Sequence, residues 1–225
     1  MREAVEKKVL NENDRLAAEL RQRYREQNIL CVNFISSPGS GKTALLEKTL
    51  GSFAPGTSVA VLTGDLQTDN DARRLMRYGF PVRQIVTGGT CHLNARMVER
   101  HLNELGFRGP GLLLVENVGN LVCPSSYDLG EAAKVVLLSV TEGEDKPLKY
   151  PGIFLRAALM ILTKTDLLPH VEFDSMLALD NARKIHSEID YLALSSKTGE
   201  GFDLWLAWLA ALQQKTRQET PATIS

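Results

Sequence analysis

The sequence ILCVNFISSPGSGKT, residues 29–43, decides the fold of this chain. Residues 29–35 are largely apolar, as a buried strand requires, and a pattern typical of a helix follows the loop at once. Between them, Gly39 and Gly41 allow backbone N–H groups to point inward around an anion, and the start of the helix adds partial positive charge. This order of strand, glycine-rich loop and helix predicts a phosphate-binding loop.

Two side chains of this loop have the chemistry that nucleotide phosphates need. Lys42 is expected to reach the β- and γ-phosphates, and the hydroxyl of Thr43 is expected to coordinate Mg²⁺. The usual pattern opens with glycine, whereas this chain has Ser36, and a serine with negative φ can also end a strand. The residues expected to bind nucleotide here are Gly39, Ser40, Gly41, Lys42, Thr43 and Ala44.

Strand-like and helix-like segments alternate along the chain. Their order predicts an α/β fold of the P-loop type, with three layers and a mostly parallel sheet that carries helices on both faces. Ligands bind such sheets at the carboxyl ends of the strands. The predicted strands are 29–35, 58–63, 82–86, 111–116, 135–140, 158–163 and 191–194, and the clearest predicted helices are 42–50, 69–78, 92–105, 175–187 and 201–214.

Length and composition narrow the possible functions. A chain of 225 residues suits one α/β domain, and 26 Lys+Arg against 27 Asp+Glu give no electrostatic support for a nucleic-acid partner. No apolar run approaches the ~18 residues that span a bilayer, and the charged start lacks an apolar signal core. Three cysteines are too few for a disulfide framework. We therefore expect a cytoplasmic protein with no membrane partner.

The chain divides into three predicted parts. Residues 1–27 are polar with apolar side chains near helical spacing, which predicts an N-terminal helical extension. Residues 28–214 form the phosphate-loop domain. Residues 215–225 are expected to be a flexible tail.

A second motif predicts which base is read. Thr163-Lys164-Thr165-Asp166 resembles the Asn-Lys-x-Asp motif of GTPases, with Thr163 in place of asparagine. The Asp166 carboxylate can accept hydrogen bonds from guanine N1–H and N2–H₂, a pair of donors that adenine lacks. Lys164 is expected to lay its aliphatic stem over the base. Further along, Leu194-Ser195-Ser196-Lys197 resembles the Ser-Ala-Lys loop that supports guanine from the other side, and Ser196 and Lys197 are expected to contact the nucleotide.

Two strand ends are candidates for contact with the γ-phosphate. Glu116-Asn117-Val118-Gly119 resembles the Asp-x-x-Gly sensor, so Glu116 is expected to hold Mg²⁺ and the Gly119 N–H to contact the γ-phosphate. Asp65 is expected to position the attacking water or to bind the Mg²⁺ shell, which makes Lys42 and Asp65 the predicted catalytic pair. For Asp69 and Asp71 we favour a simpler role at a helix start.

Three residues suggest a site for a soft metal. Cys91 and His92 are adjacent, and Cys123 lies just after the proposed sensor. Two thiolates and an imidazole suit Zn²⁺ or Ni²⁺, and three protein ligands leave a coordination position open. A metal held there would couple nucleotide state to metal affinity if hydrolysis moved Cys123.

Together these stretches resemble the HypB family, the nickel-incorporation GTPases of hydrogenase assembly, which belong to the SIMIBI class. The matching segments, in family order, are SSPGSGKT, GDLQTDNDA, GGTCHLNA, ENVGNLVCPSSYDLGE, LTKTDLL and SSKTGEG.

The resemblance implies GTP with Mg²⁺ as cofactors, a GTP-dependent homodimer, and Ni²⁺ or Zn²⁺ bound by Cys91, His92 and Cys123 near the dimer interface. It also implies the metallochaperone HypA as a partner and delivery to the large subunit of a [NiFe]-hydrogenase. The chain has no Cys-x-x-Cys motif near its start and no His-rich tract, which argues against nickel storage.

Other interpretations use the same motifs. A regulatory GTPase switch would keep the phosphate and guanine loops and make the thiols structural. A urease-type accessory GTPase would carry Cys-Pro-His, where this chain has Cys91-His92. A small-molecule kinase would need an acceptor pocket and a catalytic base, and the sequence offers no convincing set.

Overall fold

The computed structural model describes residues 2–65 and 70–219 of the chain. Within these residues, seven strands form one sheet. Each strand begins and ends within two residues of the corresponding predicted strand. The apolar runs of the five inner strands are buried almost throughout, which is why they form the centre of the molecule, and the two edge strands are partly exposed. The strands are β1 (Ile29–Ser36), β2 (Val59–Asp65), β3 (Val82–Val86), β4 (Gly111–Glu116), β5 (Ala133–Ser139), β6 (Leu159–Thr163) and β7 (Asp190–Ala193).

Helices connect the strands. The described residues contain α1 (Arg2–Glu26), α2 (Lys42–Ser52), α3 (Asn70–Met76), α4 (Ala95–Leu105), α5 (Lys146–Lys149), α6 (Pro151–Arg156), α7 (Ser175–Ile185) and α8 (Phe202–Glu219). Short 3₁₀ turns cover Cys123–Ser126 and Thr165–His170. None of the helices in the described part of the chain is both long and apolar enough to cross a membrane.

The sheet has the order β3-β2-β4-β1-β5-β6-β7, and every neighbouring pair of strands is parallel. All seven carboxyl ends therefore lie at one edge. Strand β1 is central, with β4 on one side and β5 on the other. The prediction of a P-loop α/β fold is confirmed, and the loop after β1 opens at the point where a sheet of this kind binds ligands.

Apolar helix faces cover both sides of the sheet. Leucines of α2 and the apolar face of α8 pack with Phe34 of β1 on one side. Helices α1 and α4 pack on the other side, and α6 and α7 cover β5 and β6 there. Trp205 of α8 is fully buried, meets the ring of Phe34 edge-on, and donates a hydrogen bond of 3.0 Å from Nε1 to Oγ1 of Thr49 in α2.

Helix α1 lies against the domain as one continuous helix. Leu20 and Tyr24 are buried beside α4. Gly130 has a φ of 76° and approaches the helix so closely that an added Cβ would lie 2.8 Å from the carbonyl oxygen of Ala17. Arg21 donates two hydrogen bonds, of 2.8 and 2.6 Å, to the carboxylate of Asp128. The second half of α1 is thus held to the domain by apolar burial and an ion pair.

Two predicted helix boundaries are wrong. Helix α8, predicted to end at residue 214, continues to Glu219, and the Thr216 hydroxyl donates a hydrogen bond to the Leu212 carbonyl. Residues 220–225 lie outside the described residues. Helix α4 begins at Ala95 rather than residue 92, because the Asn94 side chain caps it by accepting from the Met97 N–H.

Candidate nucleotide and metal site

A cavity of about 430 Å³ opens at the carboxyl edge of the sheet, beside the loop after β1. Gly39 and Gly41 have φ angles of 76° and 97°, values that favour glycine and turn the loop around the cavity. The cavity gathers residues from the loop, from the end of β2, from α3 and from the end of β4. They include Gly39, Gly41, Lys42, Thr43, Ala44, Asp65, Asp71, Arg74, Glu116 and Gly119.

Lys42 is largely buried at the first position of α2. Its Nζ donates a hydrogen bond of 2.8 Å to Oγ of Ser36, the serine that replaces the usual glycine. Burial lowers the pKa of Lys42, and the negative charge of Glu116 opposes that shift. Ser36 therefore supplies a hydroxyl partner for the lysine while it ends strand β1.

Glu116 is a buried carboxyl at the end of β4. Its Oε1 accepts a hydrogen bond of 2.7 Å from Thr43, and its Oε2 accepts one of 3.4 Å from Thr63. Burial raises the pKa of Glu116 to about 7, against the opposing effects of Lys42 and Thr43. Thr43 and Glu116 thus place a hydroxyl and a carboxylate together, a donor set that suits a hard divalent cation.

The other described acidic residues and the glycine considered in the sequence lie at the end of β2, in the first turn of α3 and just after β4. Asp65 lines the cavity at the end of β2, and Asp69 lies outside the described residues. Asp71 lines the cavity from the first turn of α3 and forms an ion pair of 3.3 Å with Arg74. Gly119 fits tightly against the loop, since an added Cβ would lie 3.0 Å from Cα of Pro38.

An acidic residue missed by the sequence analysis braces the phosphate loop. Ser40 turns its hydroxyl away from the cavity and donates 2.7 Å to Glu142, just after β5. Lys146 lies 3.3 Å from the same carboxylate and donates a long hydrogen bond of 3.4 Å to Ser37. Burial would raise the pKa of Glu142, but hydrogen bonds from Ser37 and Ser40 lower it. The signal available in the sequence was its position just past a strand end.

The predicted base-reading residues lie at the ends of β6 and β7. Asp166 is mostly buried, and its Oδ1 accepts a hydrogen bond of 2.6 Å from Ser195. Lys197 is exposed, and its Nζ lies 4.0 Å from Oδ2 of Asp166. Ser196, which directly precedes Lys197, is partly buried. Lys164 adopts a left-handed φ of 60°. Ser195 was not among the predicted site residues, yet it fixes the aspartate.

Thr163 joins the two loops. Its hydroxyl is buried and donates a hydrogen bond of 2.7 Å to the carbonyl oxygen of Ser40. The residue that replaces asparagine in the guanine motif therefore keeps a contact with the phosphate loop.

Cys91, His92 and Cys123 meet in space. Their possible ligand atoms all lie within 4.8 Å of one another, and this is the group that the described residues offer for a soft metal. The two sulfurs are 2.8 Å apart, and the Cys91 sulfur is 3.9 Å from Nδ1 of His92. All three side chains are partly exposed, so an ion can reach them from solvent.

Burial and hydrogen bonding shift the pKa values of two members of this triad. The hydrogen bond to Cys123, together with burial, raises the pKa of Cys91, so a cation must displace a proton to bind there. Burial lowers the pKa of His92, which leaves its imidazole neutral and able to ligate. The ring of Tyr127 stacks on His92 with centroids 3.8 Å apart and fixes the plane of the imidazole.

The triad and the cavity share one segment of chain. Asn117, Val118 and Gly119 line the cavity, and the chain reaches Cys123 four residues later. An all-parallel sheet whose central strand leads into a glycine-rich loop and a helix defines a P-loop nucleotide-binding protein.

Comparison with known proteins agrees with this class. A family model described as the CobW/HypB/UreG nucleotide-binding domain matches residues 31–192. Hydrogenase maturation factor HypB of Azotobacter chroococcum mcd 1 is 51% identical over 205 residues, which cover 91% of this chain and 67% of that protein. Hydrogenase/urease maturation factor HypB of Helicobacter pylori J99 is 40% identical over 220 residues, covering 96% and 90% respectively.

A solved structure agrees as well. The crystal structure of HypB from Helicobacter pylori in complex with nickel aligns with a TM-score of 0.83 at 40% identity, over 95% of this chain and 99% of that one. The chain therefore belongs to the CobW/HypB/UreG family and, within it, to the HypB hydrogenase maturation factors. The resemblance drawn from the sequence motifs is confirmed.

Proposed function

We propose that this protein hydrolyses GTP to GDP and phosphate and uses the nucleotide cycle to hold and release nickel during [NiFe]-hydrogenase maturation. One observation carries the proposal. The short segment from Asn117 to Cys123 lines the phosphate cavity at one end and supplies a sulfur to the Cys91–His92 pair at the other. Movement of this segment with nucleotide state would change the geometry of the metal donors.

The phosphate chemistry rests on residues of the cavity. Lys42 and the backbone N–H groups of the loop bind the β- and γ-phosphates, and Gly119 approaches the γ-phosphate. Thr43, Asp65 and Glu116 would hold Mg²⁺, which neutralises charge on the phosphates when bound. Asp65 is the residue we assign to positioning the attacking water, because it lines the same cavity at the end of β2.

The choice of GTP rests on Asp166. Its carboxylate accepts a hydrogen bond from Ser195. The loop that carries it is connected to the phosphate loop by the hydrogen bond from Thr163 to the Ser40 carbonyl. Two donors on guanine pair with such a carboxylate, whereas adenine would leave it desolvated and unpaired. Lys164, Ser196 and Lys197 complete the pocket for the base.

Nickel is the cargo in this proposal. The thiolates of Cys91 and Cys123 and the neutral imidazole of His92 bind it, and the open coordination positions permit transfer. Zn²⁺ suits the same donors. The nickel complex of the Helicobacter pylori HypB supports carrying this assignment to the present chain. We further propose a GTP-dependent homodimer, the metallochaperone HypA and the hydrogenase large subunit as partners, and action in the cytoplasm.

A metal titration tests the proposal. We expect stoichiometric Ni²⁺ binding whose affinity differs between the GDP state and the state with a non-hydrolysable GTP analogue. The double variant Cys91→Ala/Cys123→Ala should lose this binding. Cys31→Ala, which removes a buried thiol outside the triad, should retain it. Parent-like binding by the double variant would contradict the metal assignment, and binding indifferent to nucleotide would contradict the coupling.

A change of base tests the nucleotide assignment separately. Asp166→Asn replaces an acceptor by a donor, so affinity for GTP should fall and affinity for xanthosine triphosphate, which has a carbonyl at C2, should rise. Equilibrium binding of both nucleotides to parent and variant measures the exchange. An unchanged preference for GTP would show that another residue reads the base.

A further inference from the structure

Two asparagines fasten the loop that bears Cys91 and His92 to the segment 117–123. Asn117 is buried, and its Oδ1 accepts hydrogen bonds of 3.0 Å from the backbone N–H groups of both Leu93 and Val118. It therefore joins the residue just after His92 to the residue just before Gly119.

Asn120 makes the second connection, closer to the sulfurs. Its Nδ2 donates 3.2 Å to the backbone carbonyl of Cys91, and its Oδ1 accepts 2.9 Å from the N–H of Val122. The Asn120 amide thus holds the backbone of Cys91 and the backbone of Val122, the residue before Cys123. The sulfurs of these two cysteines are 2.8 Å apart.

The nucleotide side of the segment is equally constrained. Gly119 contacts Pro38 of the phosphate loop so closely that no Cβ fits without a shift. Asn117 is anchored from behind, since its Nδ2 donates 3.3 Å to Asn33 of β1, and Asn33 donates 3.1 Å to Glu131. Because Asn117 is held in place at the start of the segment, we expect a displacement of Gly119 to be passed on to the residues that follow it, Asn120 and Cys123.

We propose that Asn120, with Asn117 behind it, is the positioning residue through which nucleotide state reaches Cys91 and Cys123. The inference rests on the proposed function. Hydrogen bonds that orient metal ligands typically change metal affinity by roughly 10–100-fold when they are removed. Here the bond to the Cys91 carbonyl joins the two loops that carry the triad, and the bond to Val122 holds Asn120 beside Cys123. Removing the Asn120 side chain therefore breaks this direct connection between Cys91 and the segment that lines the phosphate cavity.

The test compares Asn120→Ala with Asn94→Ala. Asn120 is partly exposed, so its removal leaves no deeply buried group unpaired. Asn94 lies two residues after His92 and caps α4, so its removal makes the same chemical change nearby without touching the segment. For each protein, Ni²⁺ affinity is measured with GDP and with the GTP analogue, and the thiolate-to-nickel charge-transfer absorption is recorded in both states.

We expect the ratio of the two affinities to fall toward unity in Asn120→Ala, and the difference between its two charge-transfer spectra to disappear. Asn94→Ala should keep both differences, and both variants should bind GTP as the parent does. Asn120→Asp keeps an acceptor for Val122 but cannot donate to Cys91, so it should behave as the alanine variant.

Each outcome decides a different point. A parent-like affinity ratio in Asn120→Ala or Asn120→Asp overturns the role of Asn120 and leaves the proposed function intact. If the two Ni²⁺ affinities also become equal in Asn94→Ala, the effect reflects a general destabilisation of the loop, and the role of Asn120 is overturned too. A parent protein whose nickel affinity ignores nucleotide overturns the coupling itself, and the role of Asn120 with it.

Discussion

The charge state of the buried Glu116 carboxyl affects both stability and cation binding. The carboxyl lies between Thr43 and Thr63 with almost no exposure, and its pKa is raised to about 7 because burial penalises the charged form. A cation beside it favours the charged form. The residue therefore costs stability when it ionises alone and recovers that cost when a dication binds.

This cost predicts a pH dependence of stability. Below about pH 4.5 the carboxyl is protonated in the folded and unfolded states, and it contributes nothing. Between there and about pH 7 the unfolded chain releases the proton while the folded chain keeps it, so stability falls as pH rises and then levels off. Glu116→Gln stays neutral throughout, so its advantage over the parent should grow across this window to at most ~3 kcal/mol.

Urea unfolding at pH 5 and pH 8, with chelator and without nucleotide, measures this difference. Glu188→Gln, which neutralises an exposed carboxylate, is the matched control and should track the parent. Equal free energies of unfolding for Glu116→Gln and the parent at both pH values would contradict the argument.

Site residues could be predicted where one short motif carries the chemistry. Lys42, Thr43 and Asp166 follow from the local sequence, and Cys91 with Cys123 follow from strand ends that share an edge. The roles of Ser195, Glu142 and Asn120 could not be found that way, although Ser195 lies inside the Ser-Ser-Lys motif. Each acts through a hydrogen bond to a residue remote in sequence or on a neighbouring loop, and such a contact depends on how the loops fold over the sheet.

At the scale of elements, strands were easier to predict than short helices. Five of the seven strands are apolar runs buried almost throughout, and the edge strands β3 and β7 are partly exposed. A continuous apolar run of this length leaves few alternatives to a buried strand. Helices α5 and α6 were missed because the stretch KPLKYPGIFLR contains two prolines and a glycine. Pro147 and Pro151 fall in the first turns of those helices, where the missing N–H costs nothing.

The contact between α1 and the domain gives a prediction at this scale. Gly130→Ala places a methyl group 2.8 Å from the Ala17 carbonyl, at a left-handed φ of 76°. Gly79→Ala has nearly the same φ, 79°, with open space around it. Backbone strain should cost each variant about 1–2 kcal/mol. The clash should cost Gly130→Ala roughly 1–3 kcal/mol more.

Urea unfolding of the two variants measures the excess, and amide hydrogen exchange locates it. Faster exchange within α1 in Gly130→Ala alone is expected, because the helix must move away to admit the methyl group. Equal losses of unfolding free energy in the two variants would contradict this prediction, because they would show that α1 moves away from the methyl group without a loss of stability.

For the whole molecule, the nucleotide joins parts that are distant in sequence. The phosphate loop follows β1, Glu116 ends β4, and the loop proposed to read the base follows β6. A ligand that binds only the folded chain stabilises it by mass action. GDP with Mg²⁺ at about 100 times its dissociation constant should add ~2.7 kcal/mol. For a chain of this size that raises Tm by roughly 5–10 °C.

Thermal unfolding with GDP, ADP or no nucleotide checks this prediction. ADP at the same concentration should shift Tm far less, since Asp166 has no adenine donors to accept from. Lys42→Ala should lose most of the response to GDP. Equal shifts with GDP and ADP would contradict a guanine site.

The hydrogen bond between Trp205 and Thr49 has a practical consequence. Thr49 lies about two turns along the helix that Lys42 begins, and the indole is enclosed, with Trp208 stacked on it at 5.7 Å. Any adjustment of this helix when the loop closes on phosphate alters the surroundings of the indole. The intrinsic fluorescence of the protein is thus an optical reporter of nucleotide binding, with no added dye.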